Sequence, residues 1–154
     1  MKSKIIGTIL LILALTAVFA LFKVKKEVLV FYPNSLLDPQ YIDCSNVFPI
    51  KKEIYVWKNS EKESIEILLG GLSVPEKEAG YFTSINGEVT LNSLIVKDGT
   101  MMAGFSDGLN ENVAGSCRVI GIRSQIEKTL KQFPYVRDVV ILVEGERLEE
   151  ILQP

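Results

Sequence analysis

The chain reads as an α+β protein: an N-terminal transmembrane helix, then a mixed β-sheet with two helices packed on one face. Three features point there. Residues 1–26 are dominated by one uncharged apolar run, unlike the mixed sequence behind them. Strand-like and helical segments then follow in the order β, β, α, β, β-hairpin, α, β. Each helical segment carries a single apolar stripe, as helices lying on a sheet require. The chain therefore divides into residues 1–26, a membrane anchor or signal segment, and residues 27–154, which suit one domain with one core.

The run from Ile5 to Phe22, IIGTILLILALTAVFALF, contains no charge. As a helix it would rise about 27 Å at ~1.5 Å per residue, close to the ~30 Å of a bilayer's hydrocarbon. A cleaved signal peptide would find a cutting site at Val18-Phe19-Ala20. The run continues past that site into Leu21-Phe22, which favours an uncleaved, single-pass anchor. Lys2 and Lys4 precede it and Lys23, Lys25 and Lys26 follow, so flanking charge does not set the orientation.

Behind the anchor, EVLVFYP (27–33) is a short apolar run ended by Pro33, a buried strand. Residues 34–49 are rich in Asn, Asp, Ser and Pro and read as a loop. IKKEIYVW (50–57) alternates, with Ile50, Ile54 and Val56 on one face and Lys51, Glu53 and Tyr55 on the other. Ser60 and Glu63 have capping-box spacing ahead of a helical stripe of Ile65, Leu68, Leu69 and Leu72, and Gly70-Gly71 supply the left-handed stop. GYFTSI (80–85) is a predicted strand. LNSLIVKDGTMMAGF (91–105) is a predicted hairpin turning at Asp98-Gly99, residues that tolerate the positive φ of a type I′ turn. Ser116 is the expected N-cap of a helix whose stripe is Val119, Ile122, Ile126, Leu130 and Phe133, stopped by Pro134. Gly121 inside it costs about 1 kcal/mol against alanine and marks a close packing contact. DVVILVEG (138–145) is a continuously apolar strand, predicted to be central, and RLEEILQP is a tail or a single helical turn.

Composition narrows the chemistry. The chain has no histidine, which excludes histidine acid/base catalysis, Ser-His and Cys-His pairs and histidine-ligated zinc. A net charge of −2 with mixed signs argues against a nucleic-acid partner. Two thiols without clustered carboxylates fall short of a metal site, and no residue pattern calls for a cofactor. The FSDGLNENVAGS loop (105–116) has oxygen ligands but lacks calcium-loop spacing, so its glycines are assigned to turns. Tyr81, Phe82, Thr83 and Ser84 suit a groove for a glycan or peptide, though an ordinary strand explains them better. Trp57 is either a rim contact residue or a core cap.

From Glu27 onward the ordered series of segments resembles a GerMN domain, the module of sporulation and spore-germination proteins and of other bacterial envelope lipoproteins. The segments that carry the resemblance are VLVFY, VFPIKKEI, IEILLGG, GYFTSING, LNSLIVKDGTMMAGFSDGL and IRSQIEKTLKQFPYVRDVVILVEG. The resemblance implies a small α/β module, tethered to the cytoplasmic membrane with the domain outside the cytoplasm, and no catalytic site. It implies a binding or scaffold role among envelope proteins or cell-wall polymer, with self-association through sheet edges or helix faces open to it.

That location bears on the only two cysteines, Cys44 and Cys117. Outside the cytoplasm a disulfide persists. Joining the pair would close a loop of about 73 residues, for which chain entropy gives roughly 4 kcal/mol of stabilisation. It would also pin the 34–49 loop to the start of the second helix. Two other readings stand beside the disulfide: Cys117 as a reactive thiol of lowered pKa at a helix N-terminus, and two small buried side chains that never meet. The functional alternative to a non-catalytic module is correspondingly a thiol- or carboxylate-dependent envelope enzyme acting on wall material.

Overall fold

The computed structural model describes residues 23–111, 113 and 115–148. The predicted span from Ile5 to Phe22 lies outside the described residues, as do those after Leu148. Among the described residues no helix is long and apolar enough to cross a membrane.

The fold is α+β, but its strands form two sheets. Strands β1 (Lys25–Tyr32) and β2 (Phe48–Tyr55) make an antiparallel ribbon, in register from Lys25↔Tyr55 to Tyr32↔Phe48. Alternation along β1 buries Val28, Val30 and Tyr32. Glu27 and Glu53 face each other across the ribbon, an unfavourable like-charge pair. Diagonal bonds from Lys25 to Glu53 (2.9 Å) and from Lys51 to Glu27 (3.1 Å) offset it. Strands β3 (Leu91–Lys97), β4 (Thr100–Phe105), β5 (Asp138–Val143) and β6 (Glu146–Arg147) form a second, mixed sheet in that order. Its pairings run antiparallel, parallel and antiparallel. The β3–β4 hairpin turns at Asp98-Gly99, both at positive φ (50° and 82°), as type I′ geometry demands.

The single mixed sheet expected from the sequence is not formed because a helix, not a strand, meets the outer edge of β1. This helix, α3 (Ser116–Lys131), lays Thr129 and the following Gln132 along that edge. The Gln132 amide accepts from the Leu29 N–H and donates to the Leu29 carbonyl, both at 2.7 Å. Thr129 Oγ1 accepts from the Phe31 N–H at 3.1 Å. Helices α1 (Ser60–Leu69) and α3 pack on each other and on β1; α3 also reaches β5, and α1 reaches β3. The core gathers Ile65 and Leu68 of α1, Ile122, Ile126 and Leu130 of α3, and Ala103 and Phe105 of β4. Tyr32 is fully buried and donates its hydroxyl to the Leu68 carbonyl (3.1 Å), satisfying the C-terminal end of α1. Burial pushes its phenol well above the ordinary range, with the Glu76 charge adding to the effect.

Several local expectations are corrected. Asn59, not Ser60, caps α1, its side chain accepting from Lys62 N at 2.7 Å. The Ser60 carbonyl is occupied by the Ser64 hydroxyl (2.6 Å), and Glu63 bonds Lys58 (2.6 Å) instead of reaching back. Of Gly70-Gly71, only Gly71 is left-handed. The capping box belongs to a short helix the sequence reading missed, α2 (Val74–Glu78), where Glu76 reaches back to Ser73. Residues 80–85 are not a strand: Gly80 turns at φ +87°, and Thr83 Oγ1 accepts from Ile85 N (3.1 Å). A single bridge pairs Tyr81 with Asn34. Val56 lies just past the end of β2 and is exposed, where a turn closed by Lys58 N to the Tyr55 carbonyl (3.0 Å) follows. Gly115 at φ +89° takes the N-cap position of α3 in place of Ser116. β5 is interior as expected, but it ends at Val143, and Glu146 with Arg147, the first residue assigned to a tail or helical turn, forms β6 at its side.

Two predictions follow from these contacts. Gln132→Ala leaves both polar groups of the Leu29 peptide without their partner, so it should cost about 2–3 kcal/mol in urea unfolding. Lys131→Ala, on the exposed neighbouring position, should stay within about 0.5 kcal/mol. Glu76 sits between Lys52 and Ser73, accepting from the Ser73 N–H (2.8 Å) and hydroxyl (2.7 Å) as well as from the Lys52 ammonium. Burial alone would raise its pKa, yet the bonds from Lys52 and Ser73 outweigh that and hold it below the ordinary 4.5. A depressed folded-state value stabilises the fold above pH 4.5, and the benefit is lost as pH falls through it. Glu76→Gln should therefore lose about 1–2 kcal/mol at pH 7. The gap to wild type should close in acid, as read by thermal unfolding across pH.

Candidate functional site: a disulfide-clamped loop

The connection from β1 to β2, residues 33–47, has almost no regular structure, yet its backbone is held at many points. Asn34, only 2% exposed, does most of the local work. Its Oδ1 accepts from the backbone of Leu36 (2.8 Å) and Leu37 (3.0 Å), the closed turn that asparagine forms readily. Its Nδ2 donates to the Ala79 carbonyl (3.0 Å). Ser35 N donates to the Gly80 carbonyl (2.9 Å) and Phe82 N to the Pro33 carbonyl (3.1 Å). A Cβ on Gly80 would lie 2.6 Å from Leu36 Cγ, so only glycine lets the loop seat there. Residues 80–82, expected to form a strand, are thus the seat of this loop.

Farther along, Tyr41 turns inward. Its ring meets Phe82 edge-on (centroids 5.2 Å, 75°), and its hydroxyl donates to the Cys44 carbonyl (3.2 Å). Burial raises its phenol pKa, although a bond with Ser84 pulls the other way. Asp38 accepts from Tyr41 N (3.1 Å) and from Asn46 Nδ2 (3.0 Å). Asp43 accepts from the hydroxyl (2.6 Å) and backbone (2.9 Å) of Ser45, which hold its carboxyl below the ordinary range.

The structure joins Cys44 to Cys117 as a disulfide, with Cα atoms 5.2 Å apart and a sequence separation of 73. The bond ties the loop to the first turn of α3. Next to it, Arg118 donates to the Ser84 carbonyl (3.2 Å) and to Asn86 Oδ1. Asn86 in turn bonds the Gly108 carbonyl (3.3 Å) and that of Glu111. Three loops and one helix end therefore form a single laced face. On it the clamped loop displays Leu36, Leu37 and Ile42, which are 68%, 60% and 80% exposed.

With both cysteines in the bond, the alternative of a reactive Cys117 thiol has no sulfur to supply it. Among the described residues no three His, Cys, Asp or Glu side chains come together as metal ligands. In the 105–116 loop, Asp107 opens a 3₁₀ turn through Leu109, and its carbonyl accepts from Asn110 N (2.8 Å). A shallow groove between the start of α1 and β3 is lined by Asn59, Lys62 and Leu91–Leu94, without a carboxylate. Trp57 is a rim residue, 55% exposed and stacked on Tyr55 at 5.8 Å. Sequence reasoning placed Cys44 and Cys117 here but missed Asn34, Asn86, Arg118 and the three displayed aliphatics. A usable signal was present: Pro33-Asn34-Ser35 starts a turn, and two leucines follow at once in an otherwise polar loop.

Gly121 is a tight joint between α3 and the face. A Cβ there would meet Ser84 Oγ at 2.6 Å and the Tyr41 hydroxyl at 2.8 Å. Gly121→Ala should therefore destabilise the protein by about 1–3 kcal/mol, although alanine is the better helix former. Adding Ser84→Ala should recover part of that loss in the same thermal or urea measurement.

The family model Germane, described as sporulation and spore germination, matches residues 30–149. No curated protein matches the chain. Among solved structures, the fold is similar to the tandem GerMN domains of the sporulation protein GerM from Bacillus subtilis. That match has a TM-score of 0.61 at 22% identity and covers 79% of this chain and 40% of that one. The first GerMN domain of the same protein matches with a TM-score of 0.57 at 17% identity, covering 83% of this chain and 90% of that one. The chain thus spans less than half of the tandem-domain structure. With the family model covering most of its length, the chain belongs to the Germane family of sporulation and spore-germination (GerMN) domains.

Proposed function

We propose that this chain is a membrane-anchored, extracytoplasmic, non-catalytic binding module that holds the clamped 33–47 loop out to an envelope partner. The observation that carries the reading is an immobilised loop with exposed Leu36, Leu37 and Ile42. Aliphatic side chains fixed in place lose little entropy on binding and gain by burial against apolar surface, which favours a protein partner over wall polymer. The apolar run from Ile5 to Phe22 supplies the single-pass anchor in the cytoplasmic membrane. An oxidised Cys44–Cys117 pair suits a compartment outside the cytosol. The ribbon adds direction. Chain enters at Lys25 and the loop lies past Tyr32, about 24 Å along an eight-residue strand, so the loop projects away from the anchor. Self-association is a second reading, favoured by the open edge of β3, where Ile95 and Val96 are 56% and 48% exposed.

The test combines placement with contact in cells making the full chain. Acid-quenched protein, unfolded and alkylated without reductant, should show no labelled cysteine, and protease added to spheroplasts should degrade the domain. A photo-cross-linking residue at Ile42 should form an adduct with a different protein, while one at the exposed Lys128 should not. Two labelled cysteines together with protection from protease would overturn the placement. Equal adducts from both positions, or adducts only with a second copy, would overturn the binding face.

A further inference from the structure

We infer that the end of the β1–β2 ribbon opposite the clamped loop is itself seated in the headgroup layer of an anionic lipid surface, through Trp57 and Val56. This inference rests on the anchor reading above. Residues 23–26 and 53–58, which form that end, carry four lysines and one glutamate. Four apolar or aromatic side chains are exposed there: Val24 (47%), Tyr55 (41%), Val56 (39%) and Trp57 (55%). They are gathered, not scattered. Val56 N donates to the Val24 carbonyl (3.0 Å), and Tyr55 stacks on Trp57 at 5.8 Å with an interplanar angle of 17°. Lys58 Nζ lies 5.7 Å from the Trp57 ring and also bonds Glu63.

Such a set of side chains is poorly placed in open water and well placed at a bilayer surface. Indole and phenol rings favour the boundary between hydrocarbon and headgroups, and lysines beside them meet lipid phosphates. Proximity makes the contact available. From Phe22 to Lys25 the chain spans at most ~11 Å, three Cα steps of 3.8 Å. The headgroup layer of each leaflet is itself about 5–8 Å deep. An apolar run ending at Phe22 therefore keeps the ribbon end within a few ångströms of the headgroup layer, close enough for its exposed side chains to reach it. Anchor and patch together would fix the tilt of the domain as well as its distance.

Trp57 is the only tryptophan in the chain, so its fluorescence reports this end alone. Full-length protein is reconstituted into vesicles of phosphatidylcholine with or without phosphatidylglycerol, carrying bromine at shallow or deep acyl carbons. A second form carries ten Gly/Ser residues inserted between Phe22 and Lys23, a linker of roughly 17 Å r.m.s. length. The seated end predicts at least twofold quenching by shallow bromines, weaker quenching by deep ones, and stronger quenching with phosphatidylglycerol. It also predicts that quenching survives the linker and falls at least twofold in a linker form that also carries Val56→Asp. Protein that floats with the vesicles but shows no quenching, or loses it with the linker alone, would overturn the seated end while leaving the anchor intact. Protein that does not float with the vesicles would overturn both.

Discussion

The outer edge of β1 is closed by side chains, and the rest of the architecture follows from that substitution. A strand edge facing the interior must have its N–H and carbonyl groups satisfied. Here the Gln132 amide takes both groups of Leu29, and the Thr129 hydroxyl takes the N–H of Phe31. A primary amide has the same donor and acceptor as a peptide, so Gln132 stands in for one residue of a missing strand. Helix α3 is thereby locked in register with β1 while its Ile122, Ile126 and Leu130 fill the core. The ribbon and the four-stranded sheet, which share no ladder, are joined through this helix.

The same helix then determines what its first turn can hold. With its C-terminal end fixed to β1, its N-terminal end lies beside residues 84–86 and the far end of the loop. Cys117 and Arg118 bind there, and Gly121, one turn on, makes the space into which Tyr41 and Ser84 fit. The clamp and the core are thus two ends of one rigid element.

The pattern of apolar residues made most of the fold legible in the sequence, and polar side chains explain most of what it hid. Ile122, Ile126 and Leu130 show helical spacing, and Asp98-Gly99 announces its hairpin. Thr129 and Gln132 break no such pattern and announce nothing, because their value depends on partners in β1 that are distant in sequence. Periodicity therefore could not show that β1 ends the ribbon rather than continuing a sheet. The false strand at 80–85 has the opposite cause: Tyr, Phe, Thr and Ile favour extension locally, but the turn at Gly80 and the loop seated on it take precedence. Capping failed by a short shift, since both Asn59 and Ser60 are good caps and only packing of the following turn chooses between them. At the site, the cysteines were visible as a pair, while Asn34 and Arg118 act through backbone groups and an asparagine side chain that no sequence motif records.

Why a loop of this length should be ordered at all is a question about free energy. Fixing each backbone residue costs roughly 1–2 kcal/mol, and a connection without secondary structure recovers little of that through its own hydrogen bonds. Long irregular segments in compact domains are accordingly functional or disordered. This one is ordered by Asn34, Asp38, Tyr41 and a covalent bond, while Leu36, Leu37 and Ile42 face outward and contribute no core burial. Folding alone gains nothing from presenting those three side chains in a fixed arrangement. A binding partner does, because the ordering cost has been met before the encounter and the apolar surface is still unspent. Under the proposed binding role the clamp acts as preorganisation, holding an apolar surface in place before a partner covers it.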